Sequence, residues 1–328
     1  MWSLGNFELT DLWWISVSLM RFDPMLNSGL SLKSSNEVAS MFRKSLAVCI
    51  SLAFAVSLAA AGGETPSQVK LSAAAIVEKN VAARGGLQAW RAVQTMSMQG
   101  RLGAGGNRRA TVPVPIPGQK SSRQSLPTRP AEEVQLPFIM ELKRPGKMRM
   151  ELQFNGQTAI QVYDGANGWK LRPFLNRRVV EPYTTDEIKM SSMQADVDGY
   201  LVDYAAKGTQ IELVGMEKVE DRDTYKLKLT MKNGQAIHDW IDAQTFLEAK
   251  IEGQPRRLDG VYHPVEVYFR DYRPVSGLQI PHILETKVLQ VARTAKGFKD
   301  PPVPAEKIMI DKVVLNPNLE GSLFVKPQ

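Results

Sequence analysis

Residues 147–155 read KMRMELQFN: Met148, Met150, Leu152 and Phe154 alternate with Lys147, Arg149, Glu151 and Gln153. Successive side chains of a strand point to opposite faces, so this period of two describes a half-buried strand, apolar inward and charged outward. Asn155-Gly156 follows, the dipeptide that suits a tight hairpin turn, and the chain is expected to return antiparallel. TYKLKLTM (224–231) repeats the pattern, with Tyr225, Leu227, Leu229 and Met231 on one face and Lys226 and Lys228 on the other. Turn signals recur at Asp164-Gly165, Asn167-Gly168 and Asn233-Gly234. Further strands are expected over 236–241, 246–252, 264–271, 279–291 and 306–315.

Two helices flank these strands in sequence. Over 71–93, Ile76, Asn80, Ala83, Leu87 and Trp90 recur at spacings of four and three, widened by Val77 and Val81, and Gly85-Gly86 ends or kinks the first part. Over 184–205, Thr184 caps and Glu187 completes a capping box. Met193, Val197, Tyr200, Leu201 and Tyr204 form the apolar stripe there, and Lys207-Gly208 suits the C-terminal end. Helix, loop, hairpin strands, helix and more strands together define an α+β fold. Its expected form is one curved antiparallel β-sheet with helices covering the concave face.

The N-terminal region carries an address. MFRKSLAVCISLAFAVSLAAAGG (41–63) has Arg43 and Lys44, then an apolar run, then Ala59-Ala60-Ala61. This is the build of a secretory signal peptide, with cleavage expected after Ala61. The run is short of the roughly 20 residues that span a bilayer. Residues 1–40 precede a complete signal and read as a non-native upstream extension, which leaves 62–328 as one mature domain in the periplasm. Cys49 is the sole cysteine and lies inside the signal. The mature chain therefore has no disulfides and must be held by a core.

The net charge of +7 is partly local: Arg101, Arg108, Arg109, Lys120, Arg123 and Arg129 occur with no acid before Glu132. The surrounding Gly/Pro/Ser-rich stretch, 103–133, reads as a long flexible basic loop. Arg108, Arg109, Lys120, Arg123 and Arg129 are candidates for contact with a membrane or a partner, and a solvated insertion is the plainer alternative. No aromatic side chains interleave with them, which argues against nucleic acid. His238, His263 and His282 form no ligand set for a metal, and neither a nucleophile elbow nor a phosphate loop is present. Asp239 and Asp242 flank Trp240-Ile241 and are a candidate acid–base pair, more simply read as a solvated strand edge and a turn. The sequence points to no enzyme and to no cofactor. Methionines on the inward faces (Met148, Met150, Met193, Met231) instead suit a surface that adapts to a variable apolar ligand, with plain core as the alternative for any one of them.

Four stretches, ELKRPGKMRMEL (141–152), QVYDGANGWKLRPF (161–174), EVYFRDYRPVSGLQIPHILE (266–285) and SLFVKP (322–327), with ARGGLQAW (83–90), resemble exported proteins related to outer-membrane lipoprotein-sorting carriers, the LolA/LolB-like fold. The resemblance implies an open half-barrel of roughly eleven strands closed by a helical lid. It also implies a cavity for the acyl chains of a lipoprotein or other lipid. On that reading Met148, Met150, Leu152, Phe154, Val162, Leu227 and Leu229 line the sheet, while Met193, Val197, Tyr200 and Leu201 line the lid. The protein is expected to be a monomer, with inner- or outer-membrane proteins as candidate partners. Such carriers also use a polar lock between sheet and lid, whose arginine the sequence does not identify. The alternative is a non-catalytic envelope interaction or assembly protein reusing the same fold.

Overall fold

The structure is a computed structural model; it describes residues 71–105, 133–173, 177–258, 261–291 and 304–328. The signal segment, residues 1–61 as a whole, and the basic side chains Arg108, Arg109, Lys120, Arg123 and Arg129 lie outside these described residues.

One sheet of thirteen strands organises the chain, in the spatial order β6-β5-β4-β3-β2-β1-β13-β12-β11-β10-β9-β8-β7. The strands are β1 (Thr95–Gly105), β2 (Glu133–Lys143), β3 (Lys147–Phe154), β4 (Gln157–Tyr163), β5 (Gly168–Arg172), β6 (Arg177–Pro182), β7 (Gln210–Val219), β8 (Arg222–Thr230), β9 (Ala236–Asp242), β10 (Glu248–Leu258), β11 (Val261–Val275), β12 (Leu278–Val288) and β13 (Glu306–Leu315). Every neighbouring pair is antiparallel. β6 and β7 are open edges, so the sheet is not a closed barrel. The expected strands are all present, and the count exceeds eleven. The basic stretch expected as loop over 103–133 gives Gly103–Gly105 to β1 and Glu133 to β2.

The opening hairpin behaves as its sequence dictates. Asn155 and Gly156 both take positive φ, 49° and 72°, the requirement of a two-residue turn that matches the twist of its strands. The register that follows pairs Phe154 with Gln157, Met150 with Gln161, and Met148 with Tyr163.

Helix α1 (Ala73–Ala83) is capped by the Ser72 side chain, which accepts from the Ala75 N–H at 3.2 Å. Gly85 and Gly86 then take φ of 112° and 93°, which breaks the helix and starts α2 (Leu87–Ala92). Ile76, Val77, Val81 and Trp90 bury against Leu227, Leu229, Ile237, Ile241, Met96, Leu142 and Met148 of the sheet. Each fully buried aliphatic side chain of this kind contributes about 1.5–3 kcal/mol.

Helix α3 (Thr185–Gln194) starts at the capping box expected of Thr184 and Glu187. It ends earlier than expected. Beyond Ala195 the chain runs in turns to Gly208, with Gly199 at φ 76° and Asp203 at φ 53°, and neither value is compatible with a right-handed helix. The stripe Val197, Tyr200, Leu201 and Tyr204 is therefore carried by turns. The segment still packs on the core: Leu201 and Val202 are fully buried.

Candidate functional site

The concave face divides along the strands. At one end Met96, Leu142, Met148 and Tyr163 belong to the cluster sealed by α1, α2 and the 195–202 segment. Further along the same strands lies a second apolar cluster of Leu102, Leu136, Phe138, Met150, Leu152, Ala159 and Ile310. Met98, Met140, Phe154, Leu284, Ile308 and Val313 pack around it. Among the described residues, every member of that cluster comes from a strand, and no described helix belongs to it. It reaches from β4 to β12, five strand spacings, or about 24 Å at about 4.8 Å each.

This division separates the residues singled out from sequence. Met150, Leu152 and Phe154 belong to the strand-walled half. Met148, Leu227 and Leu229 are fully buried beneath the helices and serve as core. Val162 needs a correction. It pairs with Arg149, so the two-residue alternation of β4 turns it to the convex face, away from Met148 and Met150. There it packs with Leu319 and Phe324 of the C-terminal segment, which folds across the convex side in a short 3-10 turn (Gly321–Phe324). Arg149 donates to the Leu323 carbonyl at 3.1 Å on the same side.

Met193, Val197 and Tyr200 line a different space, a cavity of about 510 Å³ with Arg144, Lys207 and Met231 in its wall. Leu201 lies in the core behind it. A charge network borders this cavity. Arg144, in the β2–β3 turn, donates to Asp198 Oδ2 at 2.6 Å and to the Val93 carbonyl at 2.8 Å. Lys207 Nζ donates to Asp196 (2.6 Å), Asp198 (2.7 Å) and the Gly199 carbonyl (2.6 Å). Burial pushes the Asp198 carboxyl up, but hydrogen bonds involving Asp196, Lys207 and Arg144 outweigh it and hold Asp198 well below the usual carboxylate range. Asp196, raised by burial and by its neighbour Asp198, sits at about 6.

Two further contacts tie the covering elements to the sheet. Arg84 donates to the Asp198 carbonyl at 3.2 Å, lies 3.8 Å from Glu248 of β10 and stacks 4.4 Å over Trp90. Lys170 of β5 pairs with Glu187 of α3. Arg84 and Arg144 are thus the arginines that join the cover to the sheet, which the sequence did not single out. Long-range spacing hid them: Arg84 and Asp198 are 114 residues apart.

Asp239 and Asp242 do not converge. Asp242 accepts from the Gln244 and Thr245 N–H groups at 2.9 and 2.8 Å and shapes the β9–β10 turn. Asp239, expected at a solvated edge, is fully buried. Its register between Leu227 and Ile251 places it on the concave face. Neither of its oxygens makes a well-formed hydrogen bond. Burial, then Glu248, push its carboxyl well above the ordinary value, against the pull of Arg84 and the Trp240 N–H. Among the described residues no group of three or more His, Cys, Asp or Glu is arranged to hold a metal ion.

No protein-family model matches the sequence, and no curated protein matches it. Solved structures similar to it include a LolA superfamily protein from Nitrosomonas europaea, with 13% identity over 78% of this chain and 98% of that one and a TM-score of 0.45. A DUF1329 family protein from Desulfovibrio piger gives 14% identity over 77% and 97% of the two chains, with a TM-score of 0.45. A domain named for outer membrane lipoprotein sorting, from Vibrio parahaemolyticus, gives 12%, 77%, 95% and 0.43 in the same order.

Proposed function

We propose that the mature chain, 62–328, is a periplasmic binding or carrier protein that holds the acyl chains of a lipoprotein or another acylated ligand. The site is the strand-walled half of the concave face. One observation carries the reading: a second apolar cluster, buried and holding Met150 with Met98 and Met140 beside it, extends past the helices that seal the rest of that face, and its described members are all strand residues. Each methylene buried there contributes about 0.8 kcal/mol, and Met98, Met140 and Met150 offer a surface that adapts to chains of different length. The signal-like segment at 41–61 supports the compartment. The segment 195–208, tied down by Arg84, Arg144 and Lys207, is placed to act as part of a cover.

Met150→Arg tests the site, because it sets a charge on the apolar floor. The protein purified from periplasm should bind an apolar fluorescent probe that long-chain acyl ligands displace, and Met150→Arg should lose that binding while keeping its far-UV circular dichroism. Met140→Gln, at a half-buried position, is the gentler companion. Unchanged binding in both would overturn the site.

A second reading, an envelope interaction protein, is favoured by one feature. Edge strand β7 exposes Val214 and Met216, at 52% and 60%, beside unpaired backbone that another strand can join.

A further inference from the structure

We infer that the acyl ligand carries an uncharged head with a hydrogen-bond donor, a hydroxyl or an amide N–H, seated on Gln161. The inference rests on the acyl-binding reading and deepens it. Gln161 stands where the apolar floor ends: on β4 it faces Met150 of β3 on one side and Lys170 of β5 on the other. It is only 4% exposed, and its Oε1 has no hydrogen-bond partner. A buried acceptor left unmatched is costly and calls for a donor.

The charges nearby decide what kind of donor. Lys170 is already paired with Glu187, and Arg172 with Glu181, so this end of the floor has two buried cations and two carboxylates. At the other end Arg256 pairs with Glu306 at 2.7 Å. His263, buried beside them in the register with Arg256, directs Nδ1 to the Leu289 carbonyl at 2.9 Å, and its Nε2 is unpartnered. With Nδ1 donating, Nε2 is another acceptor. Both ends thus offer acceptors that lack donors, next to cations already neutralised. An anionic head would lose its hydration and meet Glu187, Glu181 and the Gln161 oxygen. An uncharged head that donates satisfies Gln161 without disturbing either ion pair. Two sources share this chemistry, the glycerol hydroxyl of an acylglycerol and the amide N–H of an N-acylated peptide.

The test uses the protein purified from periplasm and five ligands of one chain length, competing an apolar fluorescent probe at pH 7.5. They are a monoacylglycerol, its O-methylated derivative, an N-acyl peptide amide, the free fatty acid and a lysophosphatidylglycerol. The expected result is that the monoacylglycerol or the N-acyl peptide binds about tenfold or more tighter than the O-methylated and anionic ligands. The tighter of the two names the source. Gln161→Met, close in volume, should remove the preference; if it fails to fold, the O-methylated ligand tests the same hydrogen bond on the unaltered protein. Fatty acid or lysophosphatidylglycerol binding as tightly as the uncharged donor-bearing ligands would overturn the inference, as would a preference that survives Gln161→Met. Failure of every ligand to displace the probe would overturn the acyl-binding reading itself, a different result from binding without discrimination.

Discussion

Replacing Asp239 by Asn should stabilise the protein, and increasingly so as the pH rises. The side chain is fully buried and its two oxygens lack well-formed hydrogen bonds. Glu248 adds like charge, and Arg84, shared with Glu248 and the Asp198 carbonyl, offsets only part of it. Tyr200 and Tyr272 also feel the Asp239 charge, and neither offers it a compensating cation. The carboxyl therefore holds its proton more tightly folded than unfolded, where its pKa is about 3.9. With more protons bound in the native state, stability falls as pH rises above that unfolded value, by at most about 1.4 kcal/mol per unit. Between pH 5 and pH 7 the parent can thus lose up to about 2.7 kcal/mol through this one group, a loss that Asn, with no proton to shed, avoids. Asp196, raised to about 6, adds a slope of the same sign, but it is present in both proteins and cancels in the difference. Urea unfolding followed by circular dichroism at pH 5, 6 and 7 measures that difference. A variant less stable than the parent at pH 7, or an advantage that does not grow with pH, would mean that Asp239 is ionised and stabilised by Arg84, and the reasoning would fail.

Three other substitutions probe separate parts of the account. Thr184→Ala removes the oxygen that accepts from the Glu187 N–H at 3.3 Å and should cost about 1 kcal/mol, seen as a lower urea midpoint and faster amide exchange in α3. Phe324→Ala, which empties a side chain only 1% exposed on the convex face, should cost about 3–5 kcal/mol yet leave acyl-probe affinity unchanged, because its neighbours Val162 and Leu319 are not part of the strand-walled cluster. Gly168→Ala would set a Cβ 1.8 Å from the Tyr183 ring and should destabilise by at least about 1–3 kcal/mol, measured the same way.

Much of the fold was legible because it depends on short-range signals. KMRMELQFN and its Asn-Gly turn predict β3, the hairpin and its inward row, all of which the structure contains. The Thr184–Glu187 box likewise marks the start of α3. Its end was not legible, since Val197, Tyr200, Leu201 and Tyr204 keep a helical spacing while Gly199 and Asp203 reverse the backbone sign; spacing records which residues are apolar and not how the chain between them turns. β1 and β7 escaped notice because Gly100, Gly103 and Gly215 interrupt their apolar alternation.

The outward face of Val162 follows from the β3–β4 turn. A two-residue turn that pairs Phe154 with Gln157 also pairs Val162 with Arg149, a residue already read as outward. The family resemblance placed Val162 inside, and the C-terminal segment that makes its actual face apolar lies more than 150 residues away in sequence. Arg84, Arg144 and Gln161 were missed for the same reason: each acquires its role from partners that only the folded sheet and its cover bring near.

The strand-walled half of the concave face is the proposed seat of the acyl chains. The most direct measurement is to express the chain with its own signal segment, purify it from periplasm without detergent, extract it with organic solvent and identify what was bound by mass spectrometry. Acyl-chain species near one per protein, reduced in Met150→Arg, are the predicted result. A folded, lipid-free protein that also fails to bind an apolar fluorescent probe would contradict it.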